Sequence, residues 1–232
     1  MTPMPLPGAA GPTDPGVRFL TPLAAAGSLL LFGIMAAAFR AFPPPGGTLP
    51  RSVLEAVPLS GVVNPVTAVV LNFRGYDTII EIAVLLLTAV GARAAAGSNA
   101  AAPPTPKPEP MLAAFYRLLA PVIVVVAGYL LWVGKHAPGG AFQAGAMLGA
   151  ASILWRFCSG SPPPADRRRQ ELALYLGTVL FCTIGVGAQL AAPGFLQYPP
   201  DWAGWLILLI ETGCTLSIAA ALTVLFTACW ST

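Results

Sequence analysis

Blocks of apolar residues about as long as a bilayer is thick limit this chain's fold more than any other feature. Five blocks are long enough for transmembrane helices and a sixth is nearly so: 17–42, 77–93, 111–134, 138–157, 172–190 and 202–229. A helix needs about 20 apolar residues to cross roughly 30 Å of hydrocarbon. Only 9% of the 232 residues are charged, whereas a soluble domain carries about a quarter. We therefore predict an all-α integral membrane protein with about six transmembrane helices.

A shorter apolar stretch, 62–73, is interrupted by Pro65. Twelve helical residues are too few to cross the hydrocarbon layer. The stretch therefore predicts a short interfacial or half-inserted helix. It leads directly into a charged cluster, NFRGYDTIIE, that precedes the second span.

Pro- and Gly-rich segments divide the chain into four parts. Residues 1–16 lack the basic start of a signal peptide and predict a disordered tail. Residues 17–96 form a two-span module, and 111–232 form a four-span module. Between them lies GSNAAAPPTPKPEP, 97–110, whose composition is typical of a linker.

Lys and Arg residues predict the orientation in a cell membrane, because cytoplasmic loops carry an excess of both. The 156–169 region contains Arg156 and the run Arg167 to Arg169, so we expect it to face the cytoplasm. Alternation then places eight of the twelve basic residues and both termini inside. The 74–77 cluster and His136 lie outside.

Several functional classes lack the residues they need. The chain has one histidine and no C-x-x-C pair, so a zinc site or a Ser-His-Asp triad has little to build on. It also has no phosphate-binding glycine loop and no basic patch with interleaved aromatics. We therefore predict no enzymatic activity, no metal site, no cofactor and no nucleic-acid partner for the chain.

Glu211 is the first candidate for ion or proton movement. It lies nine residues after Trp202, about 13 Å along a helix and close to the bilayer midplane. A carboxylate there costs several kcal/mol unless it is paired, hydrated or protonated, and such residues usually have functions. The alternative is a protonated acid that only hydrogen-bonds a neighbouring helix. Thr215, one turn on, is placed to share that hydrogen bond.

Further ion-pathway candidates stand at the outer ends of two spans. Asp77 and Glu81 lie four residues apart on one helical face. Asp77 is a plausible helix N-cap, while Glu81 reaches about 6 Å further in. Arg74 either pairs with one of these acids or reaches the headgroups.

Lys135 and His136 are the last candidates, and they end the third span. They form either a snorkelling interfacial turn or a proton-exchanging pair, since His titrates near neutrality.

Small residues open the fourth span and predict close helix packing. Ala141, Gly145 and Gly149 are spaced by four, which allows another helix to approach. Gly139 and Gly140 precede them as a tight start. This pattern indicates packing rather than chemistry.

The motif FRGYDTIIE, within 62–94, resembles the C-terminal segment of the large A subunit of Mrp-type multisubunit cation/proton antiporters. It is equally similar to the E-type subunit of membrane-bound hydrogenases. Relatives often have an acid where Asn72 stands, so a cation role at that position is not implied here.

The second half resembles the Mrp B subunit, the MnhB family, through HAPGGAFQAGAMLGAASIL and LLIETGCTLSIAAALTVLF. Relatives tend to read PGGGF, whereas Ala141 stands at the third glycine here. The two resemblances together imply a fusion of two usually separate pieces at 97–110.

The resemblance implies an integral membrane subunit of a Mrp-type cation/proton antiporter, with sodium as the expected cation and an antiporter-like large subunit as partner. Glu81 would then lie at the contact with that partner. Two alternatives stay open. One is a membrane-arm subunit of an energy-converting hydrogenase or related oxidoreductase, and the other is a purely structural scaffold.

Overall fold

The computed structural model of the protein describes residues 15–41, 49–96, 109–159, 167–191 and 196–229. All its regular elements in these ranges are helical. The eight α-helices are α1 (Pro15–Ala41), α2 (Leu49–Ala56), α3 (Pro65–Ala68), α4 (Gly75–Ala96), α5 (Pro110–Val133), α6 (Ala141–Ser159), α7 (Arg167–Ala191) and α8 (Pro200–Cys229). A 3₁₀ turn, Val57–Leu59, follows α2, and a π-helical turn, Val69–Phe73, extends α3.

The helix α1 belongs to a separate compact unit, Met1–Leu49. Its large apolar side chains, such as Leu29, Phe32 and Phe39, are exposed. Such an apolar helix surface is unfavourable in water, but it is stable in contact with lipid or with an apolar partner. Its apolar part runs over Ala25–Ala41.

The second unit, Pro50–Thr232, is a bundle built around α8. This helix packs against α4, α5, α6 and α7. Its apolar window is 67% buried, whereas the windows of the other three candidate spans are between 6% and 28% buried. Ile207, Ile210 and Cys214 lie in the core, together with Phe181 of α7 and Ile82 of α4. The segment before the predicted linker therefore shares one core with the segment after it.

The prediction of an integral membrane helical protein is confirmed. Four helices are long and apolar enough to cross a bilayer: Gly75–Ala96, Pro110–Val133, Arg168–Leu190 and Asp201–Ala228. Helix α6 has 19 residues, about 28 Å, but Gln143 and Arg156 make it more polar. Among the described residues, four of the six predicted spans therefore meet this length and hydropathy. The other two correspond to α1, whose apolar part is shorter, and to α6, which is more polar.

The helix boundaries differ from the predictions in informative places. Residues 49–56, for which no helix was predicted, form α2, where Arg51 pairs with Glu55 one turn later at 2.9 Å. The fourth span begins at Ala141 rather than at Pro138. The expectation that Asp77 caps a helix is wrong, because α4 begins at Gly75 and Asp77 lies inside its first turn. The tail 1–14 and most of the linker, 97–108, lie outside the described residues.

The buried Glu211 site

Glu211 lies on the innermost helix and is only 5% exposed. Its carboxyl group receives a hydrogen bond from the backbone N–H of Ala141, the first residue of α6. The other oxygen, Oε2, is buried and has no hydrogen-bond partner among the described residues. A buried polar atom without a partner costs free energy unless water or an ion satisfies it.

Two glycines make room for this carboxyl group. A Cβ atom added at Gly140 would lie 2.9 Å from Glu211 Oε1, and one added at Gly134 would lie 3.4 Å from it. Gly140 also has a φ of +117°, which a residue with a side chain adopts only with strain. The turn between α5 and α6 can therefore approach Glu211 closely only because it lacks side chains there.

Polar side chains from α3 and from its N-cap, Asn64, hold this turn in place. The Asn64 side-chain amide donates to the carbonyls of Gly134 and Ala137, each at 3.0 Å. The Thr67 hydroxyl donates to the Gly134 carbonyl at 2.5 Å. The backbone N–H of Asn64 donates to the Lys135 carbonyl at 2.9 Å. Residues about 70 positions apart thus fix the backbone beside Glu211.

The π-helical turn after α3 is stabilised by two hydroxyl groups. Thr78 donates to the Val70 carbonyl at 2.7 Å, and Tyr198 donates to the Leu71 carbonyl at 3.1 Å. These contacts satisfy carbonyls of the π-helical segment, and such segments are frequent at functional sites. Burial, and to a lesser extent Cys214, raises the pKa of the Tyr198 phenol, which keeps it protonated as a donor.

A cavity of about 170 Å³ connects Glu211 with Glu81. Its polar lining comes from these two acids and from Thr67, Thr78 and Gln143. Glu211, Thr67 and Thr78 are buried, whereas Glu81 and Gln143 are exposed. A water molecule needs only about 10–15 Å³ of such space and two to four polar partners. The cavity can therefore hold several water molecules or one partly hydrated cation between the two acids.

Of the charged residues at the start of α4, namely Arg74, Asp77 and Glu81, not all reach the cavity. Arg74 pairs with Asp77 at 2.5 Å, and both side chains are more than half exposed. Neither Arg74 nor Asp77 lines the cavity, whereas Glu81, one turn after Asp77, does. Of the three residues, only Glu81 is brought together with Glu211.

The side chains of the neighbouring residues Lys135 and His136 have different surroundings. The Lys135 ammonium lies 5.1 Å from the ring centroids of both Trp132 and Trp205. His136 is exposed and does not line the cavity. The two residues are therefore not arranged as a pair.

The small residues of α6 face α8. A Cβ atom added at Gly145 would lie 2.8 Å from the Ile218 Cβ and 3.0 Å from the Thr215 carbonyl oxygen, and one added at Gly149 would lie 3.2 Å from the Leu222 Cβ. Gly139 leaves equally little room, since an added Cβ would lie 2.5 Å from the Leu130 carbonyl oxygen.

Ala141 begins the row of small residues on α6 and packs against the core. The row brings the start of α6 to Glu211.

The expectation that Thr215 shares a hydrogen bond with the Glu211 carboxyl group is wrong. Its hydroxyl donates to the Glu211 backbone carbonyl at 2.7 Å and more weakly, at 3.5 Å, to that of Ala141. This is the usual bond of a helical Thr to the preceding turn. It leaves Glu211 Oε2 free.

Sequence reasoning missed Asn64, Thr67 and Thr78. One signal was present for Asn64, since Asn before Pro is typical of a helix N-cap, and Asn64 Oδ1 does accept from the Val66 N–H at 3.0 Å. Nothing in the sequence indicates that its amide reaches the turn after α5.

The arrangement suits reversible binding of a proton or a small cation. One oxygen of Glu211 is held by a backbone N–H at the start of a helix, where partial positive charge favours an anion. The other is free in a polar cavity. A carboxyl group held this way can take up and release a proton without a change in the backbone.

Comparisons with known proteins agree with this fold. A family model described as a domain related to the MnhB subunit of Na⁺/H⁺ antiporter matches residues 111–228, which is just over half of the 232 residues. No curated protein matches the chain.

Two solved structures contain similar chains. One belongs to the membrane-bound sulfane sulfur reductase, an archaeal respiratory membrane complex, with a TM-score of 0.70 and 24% identity over 90% of this chain and 98% of that one. The other belongs to the Mrp complex from Dietzia sp. DQ12-45-1b, with a TM-score of 0.64 and 22% identity over 91% of this chain. The match covers only 26% of that longer chain. These likenesses establish a shared fold.

Proposed function

Because this chain belongs to the family of domains related to the MnhB subunit of Na⁺/H⁺ antiporters, we propose that it is an integral membrane subunit of a Mrp-type cation/proton antiporter complex. The expected transported cation is Na⁺. In this role the chain supports assembly and contributes Glu211 and Glu81 to a proton or cation path beside an antiporter-like subunit.

The single observation that carries this proposal is the free oxygen of Glu211 in a cavity shared with Glu81. An acid at membrane depth costs several kcal/mol, and an inert scaffold would gain nothing from it. Two acids joined by a space that can hold water form the simplest unit for moving a proton or a cation between two positions.

The position of the cavity opening supports the proposal of a partner subunit. The exposed residues of the cavity lining come from α3, the π-helical turn after it, α4 and α6: Val66, Val70, Glu81, Phe142 and Gln143. A polar opening with a carboxylate at its edge is unfavourable against lipid. We therefore propose that an antiporter-like subunit covers this opening and that the path continues into it.

The length of the matched Mrp chain supports the same arrangement. About nine tenths of this chain aligns with a quarter of one longer polypeptide there. We propose that 17–96 corresponds to the end of the large A subunit and 111–232 to the B subunit. The remainder of the large subunit would then be a separate partner here.

The proposed location is a bacterial or archaeal cell membrane with both termini in the cytoplasm. The excess of Lys and Arg in 156–169 supports this orientation. Arg93, at the end of α4, contacts Gln170 and Glu171 near the start of α7 at 2.8 and 3.7 Å. These contacts place two predicted cytoplasmic ends together.

A second candidate is a subunit of a redox-driven respiratory complex. The observation that favours it is the match to the sulfane sulfur reductase chain, which is covered over 98% of its length. The same cavity would serve either complex, because both need a membrane subunit beside the ion path. The difference lies in the partners.

Purification of the tagged chain in mild detergent tests the proposal. We expect at least one antiporter-like subunit of a dozen or more membrane helices to co-purify. Inverted vesicles should then show Na⁺-dependent dissipation of a pH gradient, and vesicles lacking the chain should not.

Two results would redirect the proposal. Co-purification with redox subunits would favour the second candidate, the respiratory complex. A monodisperse chain that is alone and fully active after reconstitution would exclude both complexes.

A further inference from the structure

Two buried threonines, Thr67 and Thr78, line the cavity beside Glu211. The Thr67 hydroxyl donates its proton to the Gly134 carbonyl at 2.5 Å. The Thr78 hydroxyl donates its proton to the Val70 carbonyl at 2.7 Å. A hydroxyl group has one proton and two lone pairs. Because both protons are committed to the backbone, the two oxygens can offer only lone pairs to whatever occupies the cavity.

The other polar side chains of the lining also present oxygen acceptors. Glu211 Oε2 is buried and has no hydrogen-bond partner among the described residues, and Glu81 brings a second carboxyl group to the exposed edge. A Cβ atom added at Gly140 would lie 2.9 Å from Glu211 Oε1 and 3.9 Å from Gln143 Oε1, so both oxygens lie within 4 Å of one point. When the two acids are ionised, only the Gln143 amide among these side chains still has a proton to donate.

A lining of oxygen acceptors favours a cation over an anion. Buried acceptors without a partner cost free energy until a donor or a cation satisfies them. In the part of the chain that the structure describes, no group of three or more His, Cys, Asp or Glu residues could hold a metal ion, and zinc and similar metals need such ligands. Neutral hydroxyl and amide oxygens beside one buried carboxylate instead suit an ion of single charge, which that carboxylate neutralises.

We infer that the oxygens of Thr67, Thr78 and Glu211 bind a small alkali cation in the buried part of this cavity, and that this ion and a proton on Glu211 exclude each other. The inference rests on the proposed function and deepens it, because it assigns the transported cation its ligands. The ion and the proton compete for the same free oxygen, Oε2. The threonines distinguish the two, because an alkali ion needs several oxygens in place of its hydration shell, whereas a proton needs only the carboxylate.

Carbodiimide labelling of Glu211 tests the inference at the site itself. Dicyclohexylcarbodiimide reacts with protonated carboxyl groups in apolar surroundings, and mass spectrometry quantifies the modified peptide. The complex in native membranes is labelled at one pH near neutrality, in sodium chloride or in choline chloride of equal ionic strength. We expect Na⁺ to slow the labelling, because the bound ion excludes the proton. Choline should not slow it, because methyl and methylene groups surround its charge.

Three threonine variants separate an ion ligand from a structural hydroxyl group. Thr78→Val removes one proposed ligand and should raise the Na⁺ concentration for half-maximal protection roughly tenfold, while labelling in choline stays as in the wild type. Thr78→Ser keeps the oxygen and should be protected like the wild type. Thr88→Val is the matched control, because the Thr88 hydroxyl donates to the Val84 carbonyl, also at 2.7 Å and on the same helix, but is exposed and outside the cavity lining. Its protection should be unchanged.

Equally fast labelling of Glu211 in sodium and in choline would overturn the inference, as would a Thr78→Val variant that Na⁺ protects like the wild type. A Thr78→Val variant whose labelling changes equally in both media would show that the hydroxyl only supports the π-helical turn, and this also contradicts the inference. If Glu211 resists the reagent in both media, binding of radioactive sodium to the purified complex serves instead, with the same order expected among the variants.

The inference and the proposed function can fail separately. Protection by Na⁺ together with normal transport by Glu211→Gln would leave the cation site standing and remove the proposed function. Loss of transport in Glu211→Gln without any protection by Na⁺ would overturn the cation site and leave a proton role for Glu211.

Discussion

Glu211 combines deep burial with an unsatisfied oxygen, and this combination has a free-energy cost. The carboxyl group forms one hydrogen bond, to the start of α6, and the bond does not offset the transfer of an acid into the membrane. A purely structural role would require only a hydrogen-bonding group of the same shape. Replacement by an amide therefore separates the structural role from the role in ion movement.

The first residue-scale prediction concerns Glu211→Gln. The variant should assemble normally and lose antiport by roughly 100-fold, as expected when a group that transfers protons is removed. Glu211→Asp should lose less, because it retains an acid one methylene shorter. The measurement is cation-dependent dissipation of a pH gradient in inverted vesicles, with complex abundance followed by blotting.

The exposed acid Glu55 provides the control for this experiment. Glu55→Gln removes a carboxylate that pairs with Arg51 on the surface of α2, and it should transport normally. Full antiport by Glu211→Gln at normal abundance would contradict the proton role. Glu211 would then have only a structural role, and Glu81 would become the main candidate for proton or cation movement.

Glu211 could be predicted from the sequence, but the residues around it could not. Glu211 was predicted from its depth alone, because one acid in a long apolar segment stands out. The polar groups that build its cavity, such as Asn64 and Thr67, were not predicted. Both stand in a short stretch whose partners lie about 70 residues later. No local pattern encodes that contact.

At the scale of elements, the contact between α6 and α8, here called the α6–α8 seam, depends on glycines, which have no side chain. Gly145 and Gly149 allow the α8 backbone to approach, and the same approach brings the start of α6 to Glu211. Small residues at such a seam allow van der Waals contacts that lipid cannot replace. Packing and site geometry are therefore linked through one pair of helices.

The element-scale prediction is that Gly145→Leu destabilises this seam by roughly 1–3 kcal/mol, the usual cost of overpacking. Reduced complex abundance and a lower Tm in detergent are the expected results. The matched control is Gly128→Leu in α5, where an added Cβ would contact nothing within 4 Å. Normal stability of the Gly145 variant would mean that the α6–α8 contact is looser than described.

The helices themselves were largely predictable, and their ends less so. Apolar length identified α4, α5, α7 and α8 to within a few residues, because the bilayer sets a minimum span. The start of α6 was placed three residues too early, at Pro138. Gly139 and Gly140 belong instead to the turn beside Glu211. The length of an apolar segment cannot predict where a turn falls when a side chain from another helix determines the shape of that turn.

For the whole molecule, the orientation in the membrane is the property most open to test. We predict that the 156–169 region faces the cytoplasm. A Ser161→Cys variant, in a background lacking the four native cysteines, should resist a membrane-impermeant reagent added to intact cells and react in inverted vesicles. Labelling from outside intact cells would show that the orientation is reversed.

Sequence alone could not reveal which helix is central. Helices α5 and α8 are similarly apolar in sequence, with mean hydropathies of 2.0 and 1.9 over their best windows, yet 6% of one window and 67% of the other are buried. The difference arises from the side chains of neighbouring helices, which hydropathy does not register. Family resemblance supplied the expectation of partners, and the outward-facing apolar surface of α5 gives that expectation a physical basis.

The central position of α8 also has a consequence for the order of events during synthesis. This helix follows all its packing partners in the chain, so α4 to α7 emerge from the ribosome before the helix that holds them together exists. Chains are made at about 5–20 residues per second, which leaves seconds in which the earlier helices lie in the membrane without their core. The Glu211 cavity therefore forms only after α8 enters the membrane, and a chain interrupted before that point lacks Glu211 itself.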